Sequence, residues 1–213
     1  MRYIIFFLLI LSFPINGANI TVFVSPDSSF AVLKDFLADA KELKIAVYTF
    51  TSVDIAVLLI GKNVTIIVDD SPVGGLANES KYIFCELAKN GISVYLYSGP
   101  LRFMHAKYII SGDRVLVSSE NLGDSGFPKN PNHGNRGWGV IVEDGDVKKK
   151  LEAIFAEDLK NSKKFICDGN YTIGKVEIMG DYKPLFTVKK YTGDVSLIVA
   201  PNAVKPLVDL INS

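Results

Sequence analysis

Residues Met104 to Leu122, MHAKYIISGDRVLVSSENL, read as two short strands joined by a turn. Val115, Leu116 and Val117 are apolar and β-favouring. Ser111, Gly112, Asp113 and Arg114 have turn composition and separate two apolar runs. On a strand, side chains two residues apart share a face. His105, Lys107, Ile109 and Ser111 are therefore expected on one face, with Ala106, Tyr108 and Ile110 on the other. Ser119 and Asn121 are again two apart at the end of the second strand. An imidazole, an ammonium, a hydroxyl and an amide on one spot suit a phosphate: three of them donate hydrogen bonds, and a neutral imidazole can attack phosphorus.

The stretch resembles the phospholipase D superfamily. Its H-x-K motif is similar to His105-Ala106-Lys107, and its S-x-N motif to Ser119-Glu120-Asn121. KIAVYTFTS, Lys44 to Ser52, resembles the family's early strand and turn. GNRGWGVIVED, Gly134 to Asp144, resembles the strand after the active-site loop. The resemblance covers Ile20 to Ser162. It implies an α/β fold, a mixed β-sheet with helices on both faces.

By that resemblance His105 is the nucleophile, and Lys107, Ser119 and Asn121 hold the phosphate oxygens. The family's supporting aspartate falls seven residues after the histidine, where this chain has Gly112. Either Asp113 substitutes for it or its role is lost. The resemblance implies no metal or other cofactor, and the sequence has no His/Cys cluster at zinc spacing. It also implies a second H-x-K, whose histidine protonates the leaving group. This sequence contains one H-x-K. The partners implied are a phosphodiester substrate, phospholipid or nucleic acid, and a second half or a homodimer mate. A non-catalytic phosphate-binding or scaffold domain is the alternative.

Working outward, strands and helices alternate from Ile20 to Tyr97, which argues for an α/β sheet. Expected strands are Ile20–Ser25, Lys44–Phe50, Val64–Val68 and Ile92–Tyr97. Expected helices run from about Ser28 to Lys41, from Val53 to Leu59 and from Glu79 to Lys89. Asp69 and Asp70 end a strand, where open α/β sheets place ligands; a solvated loop start reads equally well. Gly123 to Asn135 is a loop containing Lys129 and His133. His133 is a second acid/base candidate or an exposed loop residue. Trp138 reads as core or pocket wall. A helix from Val147 to Leu159 is expected to end in Lys160, Lys163 and Lys164.

The 213 residues carry zero formal net charge and 48% hydrophobic residues. This is globular composition, without the bulk positive charge of a nucleic-acid binder. Residues 1–18 read as a secretory signal: Arg2, an apolar run from Ile4 to Phe13, then Pro14 and small or polar residues. An uncleaved anchor is the alternative, although a span needs about 20 apolar residues. The expected location is secreted or extracytoplasmic. Cys85 and Cys167 form either one disulfide or two separate thiols.

Residues 19–164 form the expected phospholipase D-like domain. In 165–213, strands are expected at Phe186–Tyr191 and Val195–Val199. TVFVSPD from Thr21 resembles SLIVAPN from Ser196, and LKDFLAD from Leu33 resembles LVDLINS from Leu207. The tail therefore reads as the start of a second, truncated half, or as a chance likeness.

Overall fold

The computed structural model describes residues 17–173 and 182–201, with residues 205 and 209. The N-terminal apolar run and the helix expected from Leu207 lie outside the described residues. In chain order the elements are β1 Ala18–Ser25, α1 Ser29–Ala38, β2 Glu42–Val47, α2 Val53–Leu59, β3 Asn63–Asp69, α3 Asn78–Lys89 and β4 Ser93–Tyr97. They continue with β5 Lys107–Ser111, β6 Arg114–Ser118, β7 Gly137–Glu143, α4 Gly145–Lys160, β8 Ser162–Lys164 and β9 Lys189–Gly193.

The nine strands among the described residues form one sheet, in the order β8-β4-β3-β2-β5-β6-β7-β1-β9. β2, β3 and β4 are parallel neighbours, and the remaining pairs are antiparallel. The centre is covered on both faces, which is why β3 reads as a near-continuous apolar run. Ile66 and Val68 pack with α1, α2 and α3, while Ile67 packs with Val147, Leu151 and Phe155 of α4. The expected mixed α/β sheet with helices on both faces is the fold observed. Ile109 and Tyr108 point into opposite layers, as the period of two requires.

Local chemistry sets the element ends. Asp144 caps α4 by accepting hydrogen bonds from the N–H groups of Asp146 (3.0 Å) and Val147 (2.8 Å). Gly91, with φ of 79°, closes α3. Gly139 pairs with Phe23 across β1 and β7, and a side chain there would start 2.2 Å from the buried Phe23 ring. That glycine makes room for a core aromatic.

Four expectations change. His105 is not in a strand; it ends an extended segment just before β5. Lys163 and Lys164 lie in β8, an edge strand paired with β4, so Lys160 alone carries the basic charge in the last turn of α4. The expected strand at Phe186–Tyr191 falls at Lys189–Gly193, on the far edge beside β1. Residues 195–199 have no regular structure, although Val195 and Leu197 pack on the α4-side core. Cys85 and Cys167 form a disulfide, with Cα atoms 5.2 Å apart, tying α3 to the segment after β8.

The segment leading to β9 is latched by Asp27. Its Oδ2 accepts from the Tyr182 hydroxyl (2.8 Å) and the N–H groups of Leu185 (2.6 Å) and Phe186 (2.9 Å). Oδ1 accepts from Arg136 (2.5 Å). Burial alone would raise the carboxyl's pKa, but these donors outweigh it and hold it well below the usual carboxylate range. A depressed folded pKa stabilises above the unfolded value, about 3.9, and that contribution is lost as pH falls through the folded value. Asp27→Ala should release this segment, with cleavage after Lys183 in limited proteolysis roughly tenfold faster than in wild type at pH 7.

Candidate active site

The site lies at the carboxyl ends of β2 and β3. β5 runs antiparallel to β2 with Lys107 opposite Val47, so its first residues rise from that same end. The preceding turn is fixed from below by Asp69, the last residue of β3. Asp69 is 3% exposed. Its Oδ2 accepts from the Met104 N–H (2.5 Å) and its Oδ1 from the Ser71 N–H (2.9 Å). Both bonds are charge-assisted. The carboxylate therefore places the residue next to His105, so Asp69 belongs to the site's framework and is not a solvated loop start.

His105 is itself exposed. Its ring meets the edge of Tyr48, with centroids 4.5 Å apart, and the Tyr48 hydroxyl accepts from the Val73 N–H (2.6 Å). Lys107 Nζ lies 3.3 Å from each ring nitrogen of His105 and donates to the His105 carbonyl (3.1 Å). Burial, then the Lys107 charge, lower the His105 pKa, while Asp69 opposes them. The ring is thus biased towards the neutral form that a nucleophile needs. Burial also lowers the pKa of Lys107, with Glu120 acting against it.

The second half of the motif follows β6. The Leu122 carbonyl accepts from the N–H groups of Thr51 (2.9 Å) and Ser52 (3.1 Å), fixing the end of the S-x-N segment beside the turn after β2. The Asn121 Oδ1 is buried without a partner among the described residues, an unmet acceptor in a polar site. Ser119 faces Trp138. Its hydroxyl donates to Glu120 Oε1 (3.1 Å) or to the Trp138 carbonyl (3.3 Å), and its oxygen accepts from the Trp138 N–H (3.0 Å). The Ser119 hydroxyl is thus already engaged within the protein. Trp138 is neither core nor wall: it is 58% exposed beside Ser119. Its place at the start of β7 turns the ring outward, while Gly137 and Gly139 on either side are buried.

Asp113 is not brought to His105. It sits in the β5–β6 turn, where Gly112 takes φ of 54°, beyond the far end of β5. Six residues of strand and turn put it roughly 20 Å from Lys107. There it lines a cleft with Lys41, Lys44 and Glu152. A two-residue turn leaves no slack to re-register it. His133 is half-buried rather than exposed, with Nδ1 buried and without a partner among the described residues. Among the described residues no group of three or more His, Cys, Asp and Glu side chains is arranged to hold a metal ion. Among the same residues no helix is long and apolar enough to cross a membrane.

A family model described as cardiolipin synthase, PLD-like domain, matches residues 33–159. The chain belongs to this phospholipase D-like family. Nothing among curated proteins matches. Its fold is similar to that of Nuc, a phospholipase D family member from Salmonella typhimurium, at 20% identity and TM-score 0.62, covering 70% of this chain and 98% of that one. It is similarly close to NucT from Helicobacter pylori: 23% identity, TM-score 0.60, 70% and 99% covered. Phosphatidylserine synthase from Haemophilus influenzae Rd KW20 matches at 19% and 0.51, covering 70% of this chain and 40% of that protein.

The lowered His105 pKa gives a direct check. His105 should titrate by NMR below the ordinary histidine value of about 6.5. Asp69→Asn should move it lower still, because the one opposing negative charge is removed.

Proposed function

We propose that this protein is an exported phosphodiesterase working through a phosphohistidine intermediate. The observation that carries the reading is an exposed, neutral-biased imidazole with an ammonium 3.3 Å away, in a segment whose preceding residue, Met104, is held by the buried Asp69. A ring nitrogen of His105 attacks phosphorus, and the bond from phosphorus to the leaving alcohol oxygen breaks. Lys107 and Asn121 stabilise the charge developing on the non-bridging oxygens, with Ser119 assisting once its hydroxyl turns from its present acceptors. Water then cleaves the phosphorus–nitrogen bond and regenerates the histidine. The leaving alkoxide needs a proton, and the single H-x-K does not supply a second histidine. A second copy of the chain, or a second half, facing His105 would provide it. The disulfide supports the extracytoplasmic location, with the N-terminal run as signal or anchor.

A groove of about 650 Å³ opens from His105 and Lys107 between α4 and residues 197–201. Met104, Tyr108, Leu151, Ile154 and Leu197 make its wall predominantly apolar. Among the described residues Arg102 is its only cation apart from Lys107. Asp158 also lines it, its carboxyl pushed up to about 6 by burial and the nearby Glu157 charge. A polynucleotide would bring further phosphates along such a path and need cations to meet them. The groove favours a diester with an apolar substituent, so phospholipid is preferred to nucleic acid as substrate. A second reading, a phosphate-binding domain without turnover, is favoured by the single H-x-K and by the distance of Asp113 from His105.

With chelator present, hydrolysis of bis-(p-nitrophenyl) phosphate should fall roughly a thousandfold or more in His105→Ala. Equal rates in both proteins would remove His105 from the chemistry. Phosphate binding with no turnover in wild type would select the second reading. Phospholipid vesicles should be hydrolysed in preference to single-stranded oligonucleotide, and the reverse order would overturn the lipid assignment.

A further inference from the structure

We infer that Glu120, the middle residue of the S-x-N motif, is a positioning residue of the phosphate site: its carboxylate is seated in a recess left by two glycines, orients Ser119 and balances the Lys107 ammonium. The inference rests on the phosphate-site reading above.

The recess is the main observation. A Cβ built on Gly137 would lie 2.1 Å from Glu120 Oε1, 2.6 Å from Cδ and 2.7 Å from Cγ. A Cβ on Gly126 would lie 2.6 Å from Glu120 Cβ and 3.1 Å from Oε2. Neither glycine has positive φ, so backbone conformation does not require glycine at either position. What they supply is space: Glu120 alone fills it at 137, and at 126 it shares it with the Asn121 carbonyl, 2.9 Å from that Cβ position. A glutamate free to lie in solvent would need no such room.

The head group then has two neighbours. Oε1 accepts from the Ser119 hydroxyl, whose oxygen is held by the Trp138 N–H. Lys107 lines the same small void as Glu120, against Ile45, Leu116 and Phe127. Glu120 forms no ion pair within 4 Å among the described residues. The part-buried carboxylate favours the charged form of the part-buried ammonium on the same cavity. The other groups around Lys107 are His105 and the Tyr48 ring. Asp69 is committed to two backbone N–H groups, which leaves Glu120 as the counter-charge to Lys107.

The recess suggests a transplant as the test. Because the Gly137 Cβ position lies 2.1 Å from Glu120 Oε1, about one bond length and a half, the carboxylate of an aspartate at 137 can reach the same point. Binding of inorganic phosphate to the full chain is followed by 31P NMR and calorimetry from pH 6 to pH 10. Glu120→Gln should weaken binding roughly tenfold at pH 9, the scale of one charge-assisted contact. Its alkaline loss of affinity should move to lower pH, because Lys107 deprotonates more easily without the carboxylate. Gly137→Ala should do the same by displacing Glu120. The pair Glu120→Ala with Gly137→Asp should restore most of the affinity lost in Glu120→Ala alone. A pH profile unchanged in Glu120→Gln, with binding abolished in Lys107→Ala, overturns the role of Glu120 and leaves the phosphate site standing. Failure of the double variant to restore binding, with melting equal to wild type, also overturns it. No phosphate binding by wild type at any pH overturns the site reading and this inference with it.

Discussion

One buried carboxylate sets where the chemistry sits. Asp69 ends β3 in the middle of the sheet and holds the Met104 N–H, so the extended segment before β5 starts from a fixed point. A central strand gives a carboxylate little freedom, and a 3%-exposed one must be fully hydrogen-bonded. His105 inherits that rigidity although it lies outside any strand. The same charge lies close enough to oppose the lowering of the imidazole's pKa. Asp69 thus fixes the approach to His105 while burial and Lys107 set its protonation against it.

The glycines after β6 work the opposite way, by what they leave empty. Gly139 gives its space to Phe23 in the core, and Gly137, two residues earlier on the same face of β7, gives its space to Glu120 at the mouth. One strand face thus serves packing at one level and the site at the next. Trp138, between them, is turned to the other face and stands exposed beside Ser119.

The fold was legible because alternation of strand and helix up to Tyr97 is carried by strong periodicities, and β3 is apolar throughout. The faces of Tyr108 and Ile109 followed from a period of two. His105, Lys107, Ser119 and Asn121 were legible from the motif. Asp113 was misplaced because spacing along a chain does not give direction: a continuous strand carries it away from His105. Asp69 and Glu120 were underread because their importance is tertiary. One is known by the N–H groups it meets 35 residues later, the other by the side chains missing at 126 and 137. The disulfide stayed open for the same reason, since 82 residues of sequence separation say nothing of a 5.2 Å approach. β8 is three residues long and carries no periodicity to read.

β8 and β9 come from the same late stretch of chain yet close opposite edges of the sheet, beyond β4 and beyond β1. Without them, two strands with apolar alternation would present free N–H and C=O groups to other molecules, the usual template for strand-to-strand aggregation. The replacements are short and rich in charge: Lys163 and Lys164 on one side, Lys189 and Lys190 on the other. One lies a few residues before the Cys85–Cys167 bridge and the other a few residues after the donors to Asp27. The tail therefore covers the edges that β4 and β1 would otherwise present. Cutting it between its two anchors leaves both edges guarded, whereas releasing either anchor threatens to expose one.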